Sequence, residues 1–218
     1  MTNSMTCLPF GFRWATGLAF SLVLLCAGAS FAQSKTIIDE WASVQRPNAP
    51  VLKPVTVDTG TTALLMLDFM NQNCGKRPRC IATIPAVKNL LTQARAHKML
   101  VVYALIAKTT TADVMKDVAP VPGEPSVLSG PDKFLNTDLE RILKERGIKT
   151  VIAVGTAADG AVLYTASAAA FRGMNVIVPV DGMSSNGSYA ELVTASVLTT
   201  APRVGAATTL TKIDLIKF

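Results

Sequence analysis

The chain has 218 residues, half of them hydrophobic and only 17% charged, and its net charge is +6. This length suits one domain with a full hydrophobic core, and the composition fits a sheet that is buried on both faces. The basic residues are dispersed and form no patch with interleaved aromatic residues, which excludes a nucleic-acid-binding function.

The N-terminal segment has the three parts of a secretory signal peptide. Arg13 provides a positive charge, residues 15–27 are apolar, and residues 30–32 read Ser-Phe-Ala, a small-x-small cleavage site. The apolar run is shorter than the roughly 20 residues that a membrane-spanning helix needs. We therefore predict a signal peptide at 1–32 and a periplasmic or secreted protein with no membrane association after cleavage.

Residues 33–61 are predicted to form an N-terminal extension, with a short helix at 36–44 and an extended, proline-containing arm at 46–61. From residue 62 onward, apolar strands alternate with helical patterns. The predicted strands are 63–67, 99–106, 126–128, 150–154, 176–180 and 206–210. The predicted helices are 83–97, 137–146, 162–172 and 188–200.

Strands that alternate with helices of this length indicate βαβ units with right-handed crossovers. The predicted fold of residues 62–218 is therefore a three-layer α/β/α, Rossmann-like domain with a mainly parallel six-stranded sheet. Ligands of such folds bind at the carboxyl ends of the strands. The residues at those ends are Asp68, Lys108, the segment 156–161 and Asp181.

Cys74 and Cys80 are the two cysteines that lie outside the predicted signal peptide. They flank a loop that contains Gly75 and Pro78, and in an exported protein such a pair favours a disulfide. Closing this short loop is expected to add about 2–3 kcal/mol to the free energy of unfolding. The alternative is a reduced Cys74 on the rim of the strand-end site.

The segment 155–162 reads Gly-Thr-Ala-Ala-Asp-Gly-Ala-Val, between an apolar strand and an alanine-rich helix. It resembles the signature turn of the isochorismatase-like cysteine hydrolases. The resemblance extends over about 61–210, with Asp68 after an apolar strand, a partial match at 133–139, and Val-Asp-Gly-Met-Ser at 180–184. These features identify the chain as a member of that family and imply its fold.

The resemblance also assigns the reacting groups. The family's nucleophilic cysteine falls on Ala161, so the chain resembles a divergent member that lacks this cysteine. Asp68 corresponds to the general base, and burial is expected to raise its pKa; the alternative is a carboxylate that only caps a turn. The family's lysine aligns near position 128, where no cation occurs, which leaves Lys133 or Lys108 to enter the site or to remain on the surface.

The signature turn is expected to supply the binding groups Thr156, Ala157, Asp159 and Gly160. Its backbone N–H groups would hold a developing anion at the start of the following helix. Asp159 is expected to cap that helix by accepting backbone N–H bonds. The resemblance further implies a cis peptide between Thr156 and Ala157.

Several other chemistries are excluded by the residue types. His97 is the only histidine and is predicted at the opposite edge of the sheet, which argues against a Ser-His-Asp triad and a histidine-ligated zinc site. Nucleotide-binding motifs do not occur, and we predict no cofactor and no metal. The hydroxyls of Thr156, Tyr164 and Ser184 lack an evident base that would make them nucleophiles.

These observations predict an exported, hydrolase-like protein in which Asp68 activates water against a small amide, ester or vinyl ether. The alternative is a catalytically inactive binding or interaction module of the same fold, and whether the chain is an enzyme stays open. A small molecule is the expected ligand. Since members of the family commonly form dimers or tetramers, self-association as a homo-oligomer is expected as well.

Overall fold

A computed structural model describes residues 34–218, and the predicted signal peptide lies outside these residues. The chain divides into two compact units, one that ends at Val44 and one that spans Gln45–Phe218. In the first unit, the described residues form one short helix, α1 (Ile37–Glu40). The Thr36 hydroxyl and backbone N–H both donate to the Asp39 carboxylate at 2.9 and 2.8 Å, which fixes the start of this helix.

The second unit contains a parallel sheet and a separate two-stranded ribbon. The strands are β1 (Val55–Thr56), β2 (Thr62–Leu67), β3 (Leu100–Leu105), β4 (Ser126–Leu128), β5 (Thr150–Thr156), β6 (Asn175–Pro179), β7 (Met183–Ser184), β8 (Thr208–Thr211) and β9 (Ile216–Lys217). The sheet has the order β4-β3-β2-β5-β6-β8, and every pairing within it is parallel. The predicted fold class is confirmed.

The predicted count of six strands is wrong by one, because β7 also joins the sheet. Its two residues, Met183 and Ser184, pair with Gly155 and Thr156 at the end of β5. A two-residue strand gives no periodic signal in a sequence, so this pairing could not be read from the pattern. It is functionally relevant because it extends the sheet beside the signature turn.

Five further helices complete the domain, namely α2 (Pro78–Ala96), α3 (Leu139–Glu145), α4 (Leu163–Phe171), α5 (Ser188–Thr200) and α6 (Val204–Ala207). Helix α5 has its predicted bounds, whereas α2 begins five residues before its predicted start. Pro78 suits the first turn of a helix, where its missing N–H has no partner to lose. Pro85 lies inside α2 and made the sequence indicate a later start.

Both faces of the sheet are buried, and successive strand residues alternate between two apolar cores. On β2, Leu65 and Leu67 belong to the core that includes α3, α4 and α5. Leu64 and Met66 belong to the core on the other face, which includes α2. Two-sided burial is the reason why the strands read as continuous apolar runs in the sequence.

The carboxyl ends of β2 and β5 approach each other closely at one glycine. Leu67 pairs with Gly155 across the two strands. A Cβ atom on Gly155 would lie 2.3 Å from the Leu67 carbonyl oxygen and 2.5 Å from the Leu67 Cβ. Only a residue without a side chain fits there, and this contact brings Asp68 and Thr156, the next residues of the two strands, to one edge.

The extended arm at 46–61 belongs to the second unit and is joined to the last strands of that unit by backbone hydrogen bonds. Strand β1 pairs in parallel with β9, and the Lys53 N–H donates to the Leu210 carbonyl oxygen at 2.9 Å. The arm thereby ties the start of this unit to the end of the chain. Among the helices in residues 34–218, none has the length and hydropathy that crossing a membrane would require.

Replacing Gly155 by alanine is expected to lower the free energy of unfolding by about 2–3 kcal/mol, because the added methyl group overlaps the backbone of β2. Urea denaturation followed by circular dichroism measures the change. Gly75→Ala is the control, since a Cβ atom on Gly75 would have no atom within 4 Å. Equal stability of the two variants would contradict the close approach of β2 and β5.

Candidate active site

Asp68 follows β2 directly and stands at the carboxyl edge of the sheet. Its backbone N–H donates to the Ala104 carbonyl oxygen at 3.2 Å, and its φ angle is 58°. Aspartate tolerates this left-handed conformation better than most residues do. The chain turns out of the strand here, and the residue is only 6% exposed.

Lys133 is the cation that the structure brings to Asp68. Its Nζ atom donates to the two carboxylate oxygens at 2.8 and 2.7 Å and to the Gly130 carbonyl oxygen at 2.8 Å. An ammonium group has three N–H donors, so all of them are used. Lys133 is 1% exposed, whereas Lys108, the other candidate, lies exposed on the surface.

The surroundings of Asp68 act on its acidity in opposite directions. Burial raises the pKa of Asp68 above its ordinary value of 3.8, because removal from water disfavours the charged carboxylate. The charge and hydrogen bonds of Lys133 lower the pKa, but burial has the larger effect. A carboxylate with a raised pKa is a better proton acceptor than a solvated one, which suits a general base.

The loop that carries Lys133 is held against helix α4. The Lys133 N–H donates to the Thr165 hydroxyl at 3.4 Å, and Thr165 is fully buried on α4. On the next residue, the ring of Phe134 lies under the Arg172 guanidinium, 4.5 Å from the ring centroid. These contacts explain how a lysine several residues after the aligned family position still reaches Asp68.

The signature turn begins with a cis peptide between Thr156 and Ala157, as the resemblance implied. It continues as a π-helical turn, Ala158–Val162, which joins α4 without a break. Two N–H groups of the turn donate to the Ala157 carbonyl oxygen at 3.2 Å. Ala161, which the resemblance aligns with the family's nucleophilic cysteine, lies in this turn and is 4% exposed.

The predicted capping role of Asp159 is wrong. The helical turn begins at Ala158, so Asp159 lies inside its first turn and Ala157 is the N-cap residue. The Asp159 carboxylate instead accepts a hydrogen bond from the Ser185 hydroxyl. This bond ties the signature turn to the segment that follows β7, a contact between residues 26 positions apart.

The hydroxyl of Thr156 uses its one donor and accepts one hydrogen bond. It donates to the Ser184 carbonyl oxygen at 3.1 Å and accepts a hydrogen bond from Arg77 Nη1 at 3.3 Å. The Ser184 hydroxyl is buried and has no hydrogen-bond partner among the described residues. No base contacts either hydroxyl in residues 34–218, so neither has the geometry of an activated nucleophile.

The two cysteines form a disulfide, with an S–S distance of 2.07 Å. Cys74 and Cys80 are both fully buried, so Cys74 presents no thiol to the site. The bond closes the loop between β2 and α2, and Arg77, which contacts Thr156, lies inside that loop. The disulfide therefore affects the site indirectly, because it restrains the loop that carries Arg77.

The remaining sequence candidates have other partners. Tyr164 is exposed on α4, and the Asp181 carboxylate accepts the Ile213 N–H at 3.0 Å. The ring of His97 stacks on that of Phe218, with centroids 5.2 Å apart. Within the described part of the chain, no group of three or more His, Cys, Asp or Glu side chains could hold a metal ion.

A surface cavity of about 420 Å³ borders the Lys133 loop. Its lining is mainly apolar and includes Ala107 after β3, Leu128 at the end of β4, and Gly130, whose carbonyl oxygen accepts from Lys133. Ser129 also lines it, and the buried Ser129 hydroxyl has no hydrogen-bond partner among the described residues. A mainly apolar cleft of this volume is typical of a small-molecule site.

Three residues of the site were not found from the sequence, namely Gly130, Thr165 and Arg77. Gly130 contributes a backbone oxygen, which any residue could offer, and Thr165 lies in an alanine-rich helix without a motif. One feature of the sequence could have pointed to Arg77. It is a cation that lies between Cys74 and Cys80, shortly after the strand-end residue Asp68. That spacing could have indicated a cation held at the carboxyl edge of the sheet.

The family model of the Isochorismatase domain matches residues 62–212 of the chain. A curated relative, the "Secreted isochorismatase effector Isc1" of Verticillium dahliae, is 28% identical over 144 residues. The match covers 60% of this chain and 76% of the relative.

Solved structures with the same fold include two enzymes that are distant in sequence. The N-carbamoylsarcosine amidase of Thermoplasma acidophilum superposes with a TM-score of 0.61 and 21% identity, over 71% of this chain and 97% of that protein. A cysteine hydrolase of Pseudomonas syringae pv. phaseolicola gives a TM-score of 0.67 and 17% identity, over 76% and 94% of the two chains. At these identities the likeness concerns the fold.

Replacing Lys133 by methionine is expected to lower the free energy of unfolding by about 3–5 kcal/mol, since it leaves the buried Asp68 carboxylate without a partner. The double variant Asp68→Asn/Lys133→Met should recover part of this loss, because it removes both charges. Asparagine is chosen since it tolerates the left-handed backbone at position 68. Urea denaturation at pH 7 compares the variants, and a double variant less stable than Lys133→Met would contradict a buried ion pair.

Proposed function

The chain belongs to the isochorismatase family, and we propose that it is an exported, hydrolase-like protein in which Asp68 activates water. The substrate class is a small amide, ester or vinyl ether. The observation that carries the proposal is the buried Asp68–Lys133 pair, with both partners almost inaccessible to solvent and joined at 2.7 Å. Burying two charges costs free energy even when they are paired, and ionisable groups with perturbed pKa values are concentrated at functional sites. The raised pKa of Asp68 makes this carboxylate a suitable base.

In this mechanism, Asp68 takes a proton from water as the water oxygen bonds to the carbonyl carbon of an amide or ester. Negative charge develops on the carbonyl oxygen, and backbone N–H groups of the signature turn are the donors suited to stabilise it. The C–N or C–O bond then breaks, and the leaving group takes the proton back from Asp68. Lys133 holds the carboxylate in position with two of its N–H donors and gives the third to Gly130. It therefore has no donor left for the substrate.

Alanine at position 161 is the reason for proposing direct attack by water. A methyl group cannot form the covalent intermediate that a thiol forms, so hydrolysis through an acyl-enzyme requires another nucleophile. The Thr156 hydroxyl is engaged with Ser184 and Arg77, and the cysteines of the loop are oxidised. Water is the nucleophile that remains.

The cavity beside Gly130 is the proposed place of the substrate's apolar part. Its volume of about 420 Å³ is within the range of small-molecule pockets, and it adjoins the loop whose carbonyl oxygen accepts from Lys133. No cofactor takes part in the proposed reaction.

A second candidate function is a binding module of the same fold without catalysis. The specific observation in its favour is the pair of changes at the reacting groups, namely alanine at position 161 and a Lys133 ammonium with no free donor. Such a site could still hold a small carbonyl compound by the backbone N–H groups of the turn. Conversion of the ligand distinguishes the two functions.

Export rests on the sequence of residues 1–32 and on the curated relative that is named as secreted. Cleavage after Ala32 would release a mature chain that begins at Gln33, in the periplasm or outside the cell. An oxidising compartment is consistent with the disulfide between Cys74 and Cys80. Self-association stays a prediction, and the exposed side chains of Tyr164 and Phe171 on α4 offer apolar surface for it.

Asp68→Asn is expected to lower kcat/KM by at least about 100-fold, because the amide cannot accept the proton of water. The measurement is a screen of the purified chain against amide, ester and vinyl-ether substrates, followed by kinetics on those converted. Asp138→Asn is the matched control, since Asp138 is exposed and pairs with Arg141. Turnover that survives Asp68→Asn would refute the general-base role, and a ligand bound but never converted would favour the binding module.

The pH dependence of kcat/KM should report the same carboxyl group. A general base works when deprotonated, so activity is expected to rise with pH through the pKa of Asp68. Because burial raises this pKa, the midpoint of the rise should lie above 3.8. Kinetics between pH 3 and 9 measure it; a midpoint at or below 3.8, or activity that falls over this range, would contradict the assignment.

Ala161→Cys tests whether position 161 is the family's nucleophile position. A thiol there would lie in the first helical turn, where the helix dipole favours thiolate, so its pKa should fall below the ordinary value of about 8.5. The rate of alkylation by iodoacetamide as a function of pH gives this pKa, with the parent chain as the blank. A thiol that titrates near 8.5 or above would mean that the turn is not an anion-binding site.

A further inference from the structure

We propose that Arg77 forms a carboxylate-binding subsite beside the signature turn, so that the ligand of this chain is a small carbonyl compound that bears a carboxylate. This inference rests on the proposed function, because it names the class of ligand for the same site. The carboxylate would pair with the Arg77 guanidinium while the reacting carbonyl group faces Asp68 and the turn.

The partners of Arg77 differ from those of the other half-buried arginine. Arg95 forms a bidentate pair with the Glu124 carboxylate at 2.8 Å, which neutralises its charge. Arg77 is also half-buried, but the Thr156 hydroxyl is its one side-chain partner among the described residues. A partly desolvated guanidinium without an anion is costly and keeps most of its five N–H donors available.

The strand register places a second polar group, the Ser184 hydroxyl, beside Thr156, the residue that Arg77 contacts. Thr156 pairs with Ser184 across β5 and β7, and paired residues of adjacent parallel strands present their side chains to the same face. The Ser184 hydroxyl is 1% exposed and has no hydrogen-bond partner among the described residues. Two side chains with unused hydrogen-bonding capacity therefore flank Thr156, and the half-buried Arg77 guanidinium is the one of the two that a ligand carboxylate can reach.

The backbone around Arg77 is fixed by the disulfide loop. Cys74 and Cys80 are joined across six positions, and the Arg77 N–H donates to the Cys74 carbonyl oxygen at 3.0 Å. Arg77 is also the N-cap residue of α2, and its carbonyl oxygen accepts the Ile81 N–H at 3.0 Å. A guanidinium on a preorganised backbone loses little entropy when it binds, which favours recognition of a planar carboxylate.

The subsite and the proposed base stand on adjacent strands of the sheet. Leu67 pairs with Gly155, so Asp68, directly after β2, and Thr156, the last residue of β5, lie at the same edge of two neighbouring strands, whose backbones are about 4.8 Å apart. A carboxylate at Arg77 and a carbonyl group near Asp68 can thus belong to one small molecule. Arg77 acts here as a determinant of specificity and takes no part in proton transfer.

The test follows the Arg77 side chain directly by NMR, with acetate as the smallest carboxylate probe. The Nε–Hε resonances of the ¹⁵N-labelled chain are recorded, and the Arg77 signal is identified by its absence in Arg77→Lys. Acetate should shift this signal saturably, with a dissociation constant on the order of 10 mM. Neutral acetamide, and sodium chloride at equal ionic strength, should leave the signal unchanged.

Two variants separate a specific contact from general charge. Lys76→Gln removes the neighbouring exposed cation of the same loop and should preserve the acetate response within twofold. Thr156→Val removes the hydroxyl that holds the guanidinium and should weaken acetate binding by about tenfold, as one charge-assisted hydrogen-bonding contact. An absent or unsaturable shift of the Arg77 signal, or an equal shift with sodium chloride, overturns the subsite.

The same probe distinguishes failure of the subsite from failure of the proposed function. Asp68→Asn should keep the acetate response, since the carboxylate partner is Arg77, even where it abolishes turnover. If a parent chain without any turnover binds acetate at Arg77, the hydrolase proposal fails and the subsite stands. With turnover, Arg77→Gln should raise KM for succinamate at least tenfold and change KM for butyramide less than twofold, and equal effects on both would overturn the subsite.

Discussion

The buried ion pair between Asp68 and Lys133 is the constraint that organises the carboxyl edge of the sheet. The Asp68 carboxylate at the end of a central strand is largely removed from solvent, so a cation that reaches it through the surrounding loop stabilises its charge. The ammonium needs acceptors for all its donors, and the Gly130 carbonyl oxygen supplies the third. Folding of the segment that precedes Lys133 is therefore coupled to the electrostatics of the site.

The same constraint holds the strand ends in place without any contribution from a thiol at position 161. Ala161 contributes a methyl group to the apolar core. The ion pair, the cis peptide and the close approach at Gly155 do not depend on a sulfur atom at that position. A family member can thus keep the geometry of the strand ends with alanine at this position, and the proposed function then requires activation of water or binding alone.

The sequence predicted those features that depend on short-range patterns of apolar and polar residues. Buried strands, the bounds of α5 and the strand-end position of Asp68 follow from local patterns of hydrophobicity. The contacts of Lys133 with Asp68, and of Arg77 with Thr156, join residues 65 and 79 positions apart, and no local pattern encodes them. Asp159 was misassigned for a related reason, because a π-helical turn shifts the helix start and the side chain finds Ser185 instead.

The two cations of the site have different chemical roles because their partners differ. All three N–H donors of Lys133 bond to the Asp68 carboxylate and the Gly130 carbonyl oxygen. Lys133 can therefore orient Asp68 but has no free donor for a ligand. Arg77 donates to one neutral hydroxyl and retains donors in a planar arrangement that matches a carboxylate. On the proposal that Ala161 stands at the family's nucleophile position, Arg77 makes recognition of a charged ligand, and not covalent attack, the distinguishing property of the site. Selection of the ligand would then be the property that the disulfide, the loop and the signature turn jointly preserve.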